Sequence, residues 1–189
     1  MVKVIIKFPL NNKMKSIKLI IFCLVIFFAH QAFFGQGDAN TQQNIAAAQS
    51  LMQKGDLNGA INLLQTELQK EPQNVSLKYW LGKTYYSQQN YQKTIETLTS
   101  IYEKLSESSA EKIQSTQMIG LSHYVLGHLS DAIPYFEKMT KLQPENSEIS
   151  YALGVSYIQT RQPEKSRQIF STLFGVQANS ASAYLLNAQ

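Results

Sequence analysis

The sequence has 189 residues, 44% of them hydrophobic and 16% charged, which is the composition of one ordinary folded domain and excludes a disordered chain. The formal net charge is +4, but Lys3, Lys7, Lys13, Lys15 and Lys18 all precede residue 19, while every acidic residue follows residue 35. From Gln36 onward 12 basic residues face 13 acidic ones with no basic patch or stripe, which excludes the electrostatics of nucleic-acid binding.

The first predicted element, residues 1–37, reads as a signal peptide or an uncleaved signal anchor. Lysines at 13, 15 and 18 precede an unbroken apolar run from Leu19 to Ala29, and small and polar residues follow. That is the order of a positive region, an apolar region of about 7 to 15 residues and a cleavage region. Eleven apolar residues fall short of the roughly 20 that span a bilayer. Ala32, Phe33 and Phe34 prolong the apolar character and keep the anchor reading open, in which case contact with a membrane would be confined to this segment. Residues 1–13 are unusual ahead of such a positive region, which points to Met14 as the true start. The expected location is exported, periplasmic or secreted, the alternative being an inner-membrane anchor with the body facing the periplasm. Cys23 is the only cysteine and follows bulky Phe22, where a lipoprotein signal needs a small residue. The exported part therefore has neither a disulfide framework nor a thiolate site, and its stability must come from packing.

The remainder repeats itself. LGKTYYSQQNYQKTI (81–95) aligns with IGLSHYVLGHLSDAI (119–133), LGVSYIQTRQPEKSR (153–167) and, with Ala48 at the glycine position, AAQSLMQKGDLNGAI (47–61). The period is 34 residues from 48 to 82 and from 120 to 154, and 38 in between, the four extra residues falling in SESSAEK (106–112). Pro72 and Pro144 each stand 24 residues after the small residue of their unit. Within a unit, Leu81, Tyr85 and Gln88 share one helical face, and Ile95, Leu98, Ile101 and Tyr102 form an apolar stripe; no segment alternates with period two. Nine helices are predicted, with turns near 55, 72, 89, 107, 127, 144, 161 and 178. The costly mid-helix Gly82 pairs in this reading with Thr94 twelve residues on, as Ala48 does with Ala60, Gly120 with Ala132 and Gly154 with Ser166, so that two helices approach closely.

This pattern resembles the tetratricopeptide repeat, a 34-residue helix-turn-helix unit. Gly120, Gly127, Ala132, Phe136 and Pro144 match the family pattern best, followed by Ala48, Gly55, Ala60 and Pro72. The resemblance implies an all-α, right-handed α-α superhelix of helical hairpins. Its repeats are expected at 41–74, 75–112 (with the loop extension), 113–146 and 147–180, with 181–189 as the first helix of a partial repeat or a cap. There are departures. Lys78 stands at the family's tryptophan position with Trp80 two residues later, Arg161 replaces a turn glycine, Pro163 opens a helix, and Pro134 sits inside one.

Chemistry-bearing motifs are missing from the sequence: it has no H-E-x-x-H, G-x-S-x-G, Walker loop or G-x-G-x-x-G. His123 and His128 are five apart, a spacing that splits them across helix faces; His123 is expected in the core and His128 in a turn. Glu67, Glu96, Glu103 and Glu137 are expected mainly on solvated outer helices. The chain is thus expected to have no catalytic residues, no metal and no cofactor, and not to be an enzyme.

What the resemblance implies instead is a concave face lined by the first helix of each repeat. Carried over by position, its residues are Gln49 and Met52; Tyr79, Lys83 and Tyr86; Gln117, Leu121 and Tyr124; and Tyr151, Val155 and Ile158. A carboxylate clamp of the kind some family members use is not expected, because Ile45, Gln49, Leu81 and Gln114 hold its positions. The expected partner is a protein or peptide bound by an exported scaffold. Alternatives are a membrane-anchored assembly scaffold, or a repeat segment of a longer protein with a further, catalytic domain.

Overall fold

Short polar side chains start most of the helices. In this computed structural model, which describes residues 39–177, 179 and 180, five helices open on a residue whose side-chain oxygen accepts the backbone N–H three positions on. The pairs are Asp56 with Gly59, Asn74 with Leu77, Asn90 with Lys93, Ser109 with Lys112 and Asn146 with Ile149. Each cap satisfies one of the donors that a helix start leaves unpaired and is worth about 1 kcal/mol. The helices are α1 (39–53), α2 (Leu57–Lys70), α3 (Val75–Ser87), α4 (Tyr91–Thr99), α5 (Ala110–Val125), α6 (Leu129–Leu142), α7 (Ser147–Gln159) and α8 (Pro163–Phe174). No strand occurs among the described residues. The segments expected at 1–37 and 181–189 lie outside the described residues, and so does the expected ninth helix.

The chain divides into two units, Met1–Gln43 and Asn44–Gln189. Of the first, only the helical residues 39–43 are described; the rest of this section concerns the second.

The turns inside successive hairpins share one construction. A residue in the left-handed region, Gly55 (φ 81°), Gln89 (φ 60°), Gly127 (φ 76°) or Arg161 (φ 61°), ends the first helix. The next residue, which also opens the second helix, sends its N–H back five positions: Asp56 to Leu51, Asn90 to Tyr85, His128 to His123 and Gln162 to Tyr157. This is the Schellman closure, and glycine enters it without the cost of about 1 kcal/mol or more that Gln89 and Arg161 incur there.

The hairpins stack in sequence: α4 and α6 each pack on both their own first helix and the next one, α2 packs on α3, and α8 packs on α7. The core is accordingly a chain of clusters: Ile45, Ala48, Leu64, Leu77 and Leu81; then Tyr79, Leu98, Ile101, Met118 and Ile119; then Ala132, Phe136, Met139, Ile149 and Leu153. Burying one such Leu, Ile or Phe side chain contributes about 1.5–3 kcal/mol, so stability is spread along the stack rather than held at one centre. The all-α helical-repeat architecture expected from the sequence is the architecture observed.

Three readings are corrected. The mid-helix glycines receive the residue sixteen positions on, not the small one at twelve: a Cβ on Gly82 would lie 2.4 Å from Leu98 Cδ2, one on Gly154 2.7 Å from Phe170 Cε1, and one on Gly120 3.0 Å from Phe136 Cε1. The glycine is a socket for a large side chain, which is how it permits close approach. Glu67 is not solvated but 5% exposed, with its carboxylate 2.7 Å from Lys70 Nζ, and half-buried Glu137 accepts the Tyr157 hydroxyl. Finally, α4 ends at Thr99, short of the stripe that reached Tyr102; Ile101 is still fully buried, in the turn beyond the helix.

The extra length of the second repeat is taken up between α4 and α5, in a 3₁₀ turn, Tyr102–Lys104, and a loop up to Ser109. Lys112, on the first turn of α5, holds this loop from inside. Its Nζ lies 2.5 Å from the Tyr102 carbonyl oxygen, 3.1 Å from Glu107 Oε1 and 3.6 Å from the centre of the Tyr102 ring, and the residue is 1% exposed.

Candidate functional site

The first helices of the hairpins, α1, α3, α5 and α7, carry the face expected to bind. Of these α3 packs directly on α5, whereas the second helices are joined mainly through first helices. Burial, then Tyr91 on α4 and Glu148 at the start of α7, raise the pKa of the Tyr86 hydroxyl on α3 above its ordinary value.

The predicted residues divide by depth. Tyr79 is 4% exposed and belongs to helix packing; burial, then the charge of Glu111, pushes its hydroxyl up to about 12. That hydroxyl donates to Gln114 Oε1 at 2.7 Å, and Lys83 Nζ donates to the same oxygen at 3.0 Å while lying 4.9 Å from the Trp80 ring centre. Met52 is half-buried, its sulfur 3.2 Å from the Thr84 hydroxyl. Gln49, Tyr86, Gln117, Leu121, Tyr124, Val155 and Ile158 are half-buried, and Tyr151 is 53% exposed. Tyr86 meets Tyr91 edge-on at 6.0 Å, Tyr124 meets Phe136 at 5.9 Å, and Tyr151 lies 5.7 Å from Phe170. Rings anchored at one edge and open at the other present rigid contact area at low entropic cost.

Gln114 and Glu148 stand at the second position of their repeats, which the family pattern also turns toward the concave face, but neither is among the residues assigned to it from the sequence. Gln114 had been weighed only as a failed clamp residue. In the structure it is the exposed polar link between α3 and α5, whereas of the other failed clamp positions Ile45 and Leu81 are buried at 4% and 6% exposure and Gln49 is half-buried.

The histidine reading is also corrected. His123 and His128 are not split across faces, because the helix ends between them: the Schellman closure folds the chain back, placing His128 N 2.9 Å from His123 O and the ring centres 5.9 Å apart. With Asp131 they form a group whose ligand atoms all lie within 4.8 Å of one another. His123 is half-buried and stacks on Tyr135 at 6.0 Å, and burial lowers its pKa below the ordinary histidine value.

Comparison with known proteins adds the family. The profile of the tetratricopeptide repeat matches residues 51–105 and 126–189, well over half of the sequence. The chain belongs to the tetratricopeptide repeat family. Among solved structures of this repeat type, MamA of AMB-1 superposes with a TM-score of 0.62 at 21% identity, covering 76% of each chain. YrrB, described as a TPR protein with an unusual peptide-binding site, superposes with a TM-score of 0.61 at 16% identity, covering 75% of this chain and 71% of its own. A tetratricopeptide repeat protein from Parabacteroides merdae gives 0.58 at 24% identity, covering 76% and 56%. These likenesses concern the fold. The Mus musculus aspartyl/asparaginyl beta-hydroxylase is 21% identical over 164 residues, and the chain spans only 22% of that relative's length.

Proposed function

We propose that this tetratricopeptide repeat protein is a non-catalytic scaffold that holds a protein or peptide against the inner face of α3, α5 and α7. The observation that carries this is the row of half-buried aromatic and aliphatic side chains, Tyr86, Leu121, Tyr124, Val155 and Ile158 with exposed Tyr151, repeated on successive first helices; Tyr86, Leu121 and Tyr124 rest on the core clusters yet stay partly open to solvent. Such a face suits an extended or helical segment whose side chains enter the gaps between rings, with Gln114 and Lys83 offering polar contacts. The description of YrrB supports the reading by analogy of fold.

The test is capture of a partner from envelope extract, followed by affinity measurement. Tyr86→Ala and Tyr124→Ala should each cost about 2 kcal/mol of binding, as central aromatic anchors do. Unchanged affinity in both variants, with their helix content intact, would reject the face.

The place of action belongs to the same proposal: export, supported by the lysines, apolar run and small residues before Gly37. No helix among the described residues is long and apolar enough to cross a membrane, so anchoring, if retained, would use residues 14–35. Intact mass of the protein recovered from cells decides between the two. A loss of more than thirty residues is expected, and a full-length mass would mean an anchor.

A further inference from the structure

The third hairpin turn differs from its equivalents in what it brings together. The Schellman closure pairs Leu51 with Asp56 in the first turn, Tyr85 with Asn90 in the second, His123 with His128 in the third and Tyr157 with Gln162 in the fourth. In the first two, the residue opening the second helix spends its side chain on a cap, Asp56 to Gly59 N and Asn90 to Lys93 N. His128 makes no such bond, so its ring is uncommitted to the helix it starts. The tyrosines equivalent to His123 find partners on the second helix of the preceding hairpin, Tyr85 with Gln65 on α2 and Tyr157 with Glu137 on α6. His123 Nδ1 is buried and has none. An imidazole filling a tyrosine's packing position would not require a second imidazole beside it, nor a carboxylate three residues further on.

We propose that His123, His128 and Asp131 form a three-ligand site for a divalent d-block cation of the Ni²⁺–Cu²⁺–Zn²⁺ group. Their ligand atoms, all within 4.8 Å of one another, need only small side-chain rotations to converge on one ion at about 2.0–2.2 Å. Two nitrogen donors out of three favour such an ion over Mg²⁺ or Ca²⁺, which take oxygen. The start of α6 carries positive dipole charge that opposes a cation, so Asp131 in its first turn supplies compensating charge as well as a donor. His128 and Asp131 are exposed, which leaves the remaining coordination position to water. The bound ion would clip the end of α5 to the start of α6.

The experiment is isothermal titration of the full chain with Zn²⁺, with Mg²⁺ as control, alongside His128→Ala, Asp131→Asn and His123→Gln. One equivalent of Zn²⁺ should bind saturably, each variant should weaken it by at least about tenfold, and Mg²⁺ should not bind. Excess Zn²⁺ should raise the thermal midpoint of the unaltered chain and not that of the variants. Co²⁺ should give a visible d–d band that the same substitutions abolish. His123→Gln alters a packed residue, so the two exposed positions decide the matter if that variant fails to fold. No saturable binding, or binding unchanged in both His128→Ala and Asp131→Asn, overturns the site.

Discussion

Gly82→Ala is expected to destabilise the protein by about 1–3 kcal/mol, although the same change at an exposed helical position stabilises by about 0.5–1 kcal/mol. The reversal follows from the socket. The added Cβ would meet Leu98 Cδ2 at 2.4 Å and Cγ at 2.6 Å, and Leu98 is fully buried, so relief requires α3 and α4 to separate. Gly120 is the internal comparison: there the nearest atoms stand at 3.0 Å, a few tenths of an ångström of adjustment suffices, and Gly120→Ala should cost markedly less. Urea unfolding followed by circular dichroism measures both. Leu98→Ala alone should cost about 2–5 kcal/mol, and clearly less in the Gly82→Ala background, because the new methyl fills space the leucine vacated. A stabilised Gly82→Ala protein, or additive effects in the double variant, would contradict the socket.

The same glycine shows how far the sequence could be read. The recurrence of its repeat unit was enough to place hairpins and turns, because each turn is set by local chemistry: a left-handed residue at 55, 89, 127 and 161, followed in the first two by a capping side chain. What fills the glycine was not legible. Small residues at twelve and large ones at sixteen both recur, and only packing decides which of them enters the gap. The histidine pair failed for a related reason. A spacing of five separates side chains on a continuous helix, but Gly127 ends α5 and the Schellman bond reverses the geometry. For the face proposed to bind, repeat position assigns a residue to a side but says nothing of its depth. Tyr79 and Tyr86 stand on the same helix, yet the first is sealed against α5 and the second stays half open.

Lys112 gave no sign in the sequence, where a lysine beside glutamates reads as surface, and replacing it should be among the most damaging single changes outside the sockets. Lys112→Ala is expected to cost about 3 kcal/mol, combining lost packing of the buried stem with loss of the charged donor to the Tyr102 carbonyl. Lys112→Met keeps most of the stem and should recover part of that cost, which separates packing from hydrogen bonding. Glu107 is exposed and shared between Lys112 and Lys138, so Glu107→Gln should have a smaller effect, with its own pH signature. Hydrogen bonds from Lys138 and then Lys112 hold the Glu107 carboxyl below its ordinary value of 4.5, so the folded state binds this proton less readily than the unfolded chain. Its contribution is therefore present above pH 4.5 and lost as pH falls through the lowered folded value. Unfolding of the unaltered chain and of Glu107→Gln, compared from neutral pH down to strongly acidic pH, should converge at the acidic end. A gap of constant size would mean that the Glu107 charge contributes nothing to holding the loop, leaving the Lys112 contacts with Tyr102. If Lys112→Ala proved as stable as the unaltered chain, the 38-residue second unit would need some other anchor for its four extra residues.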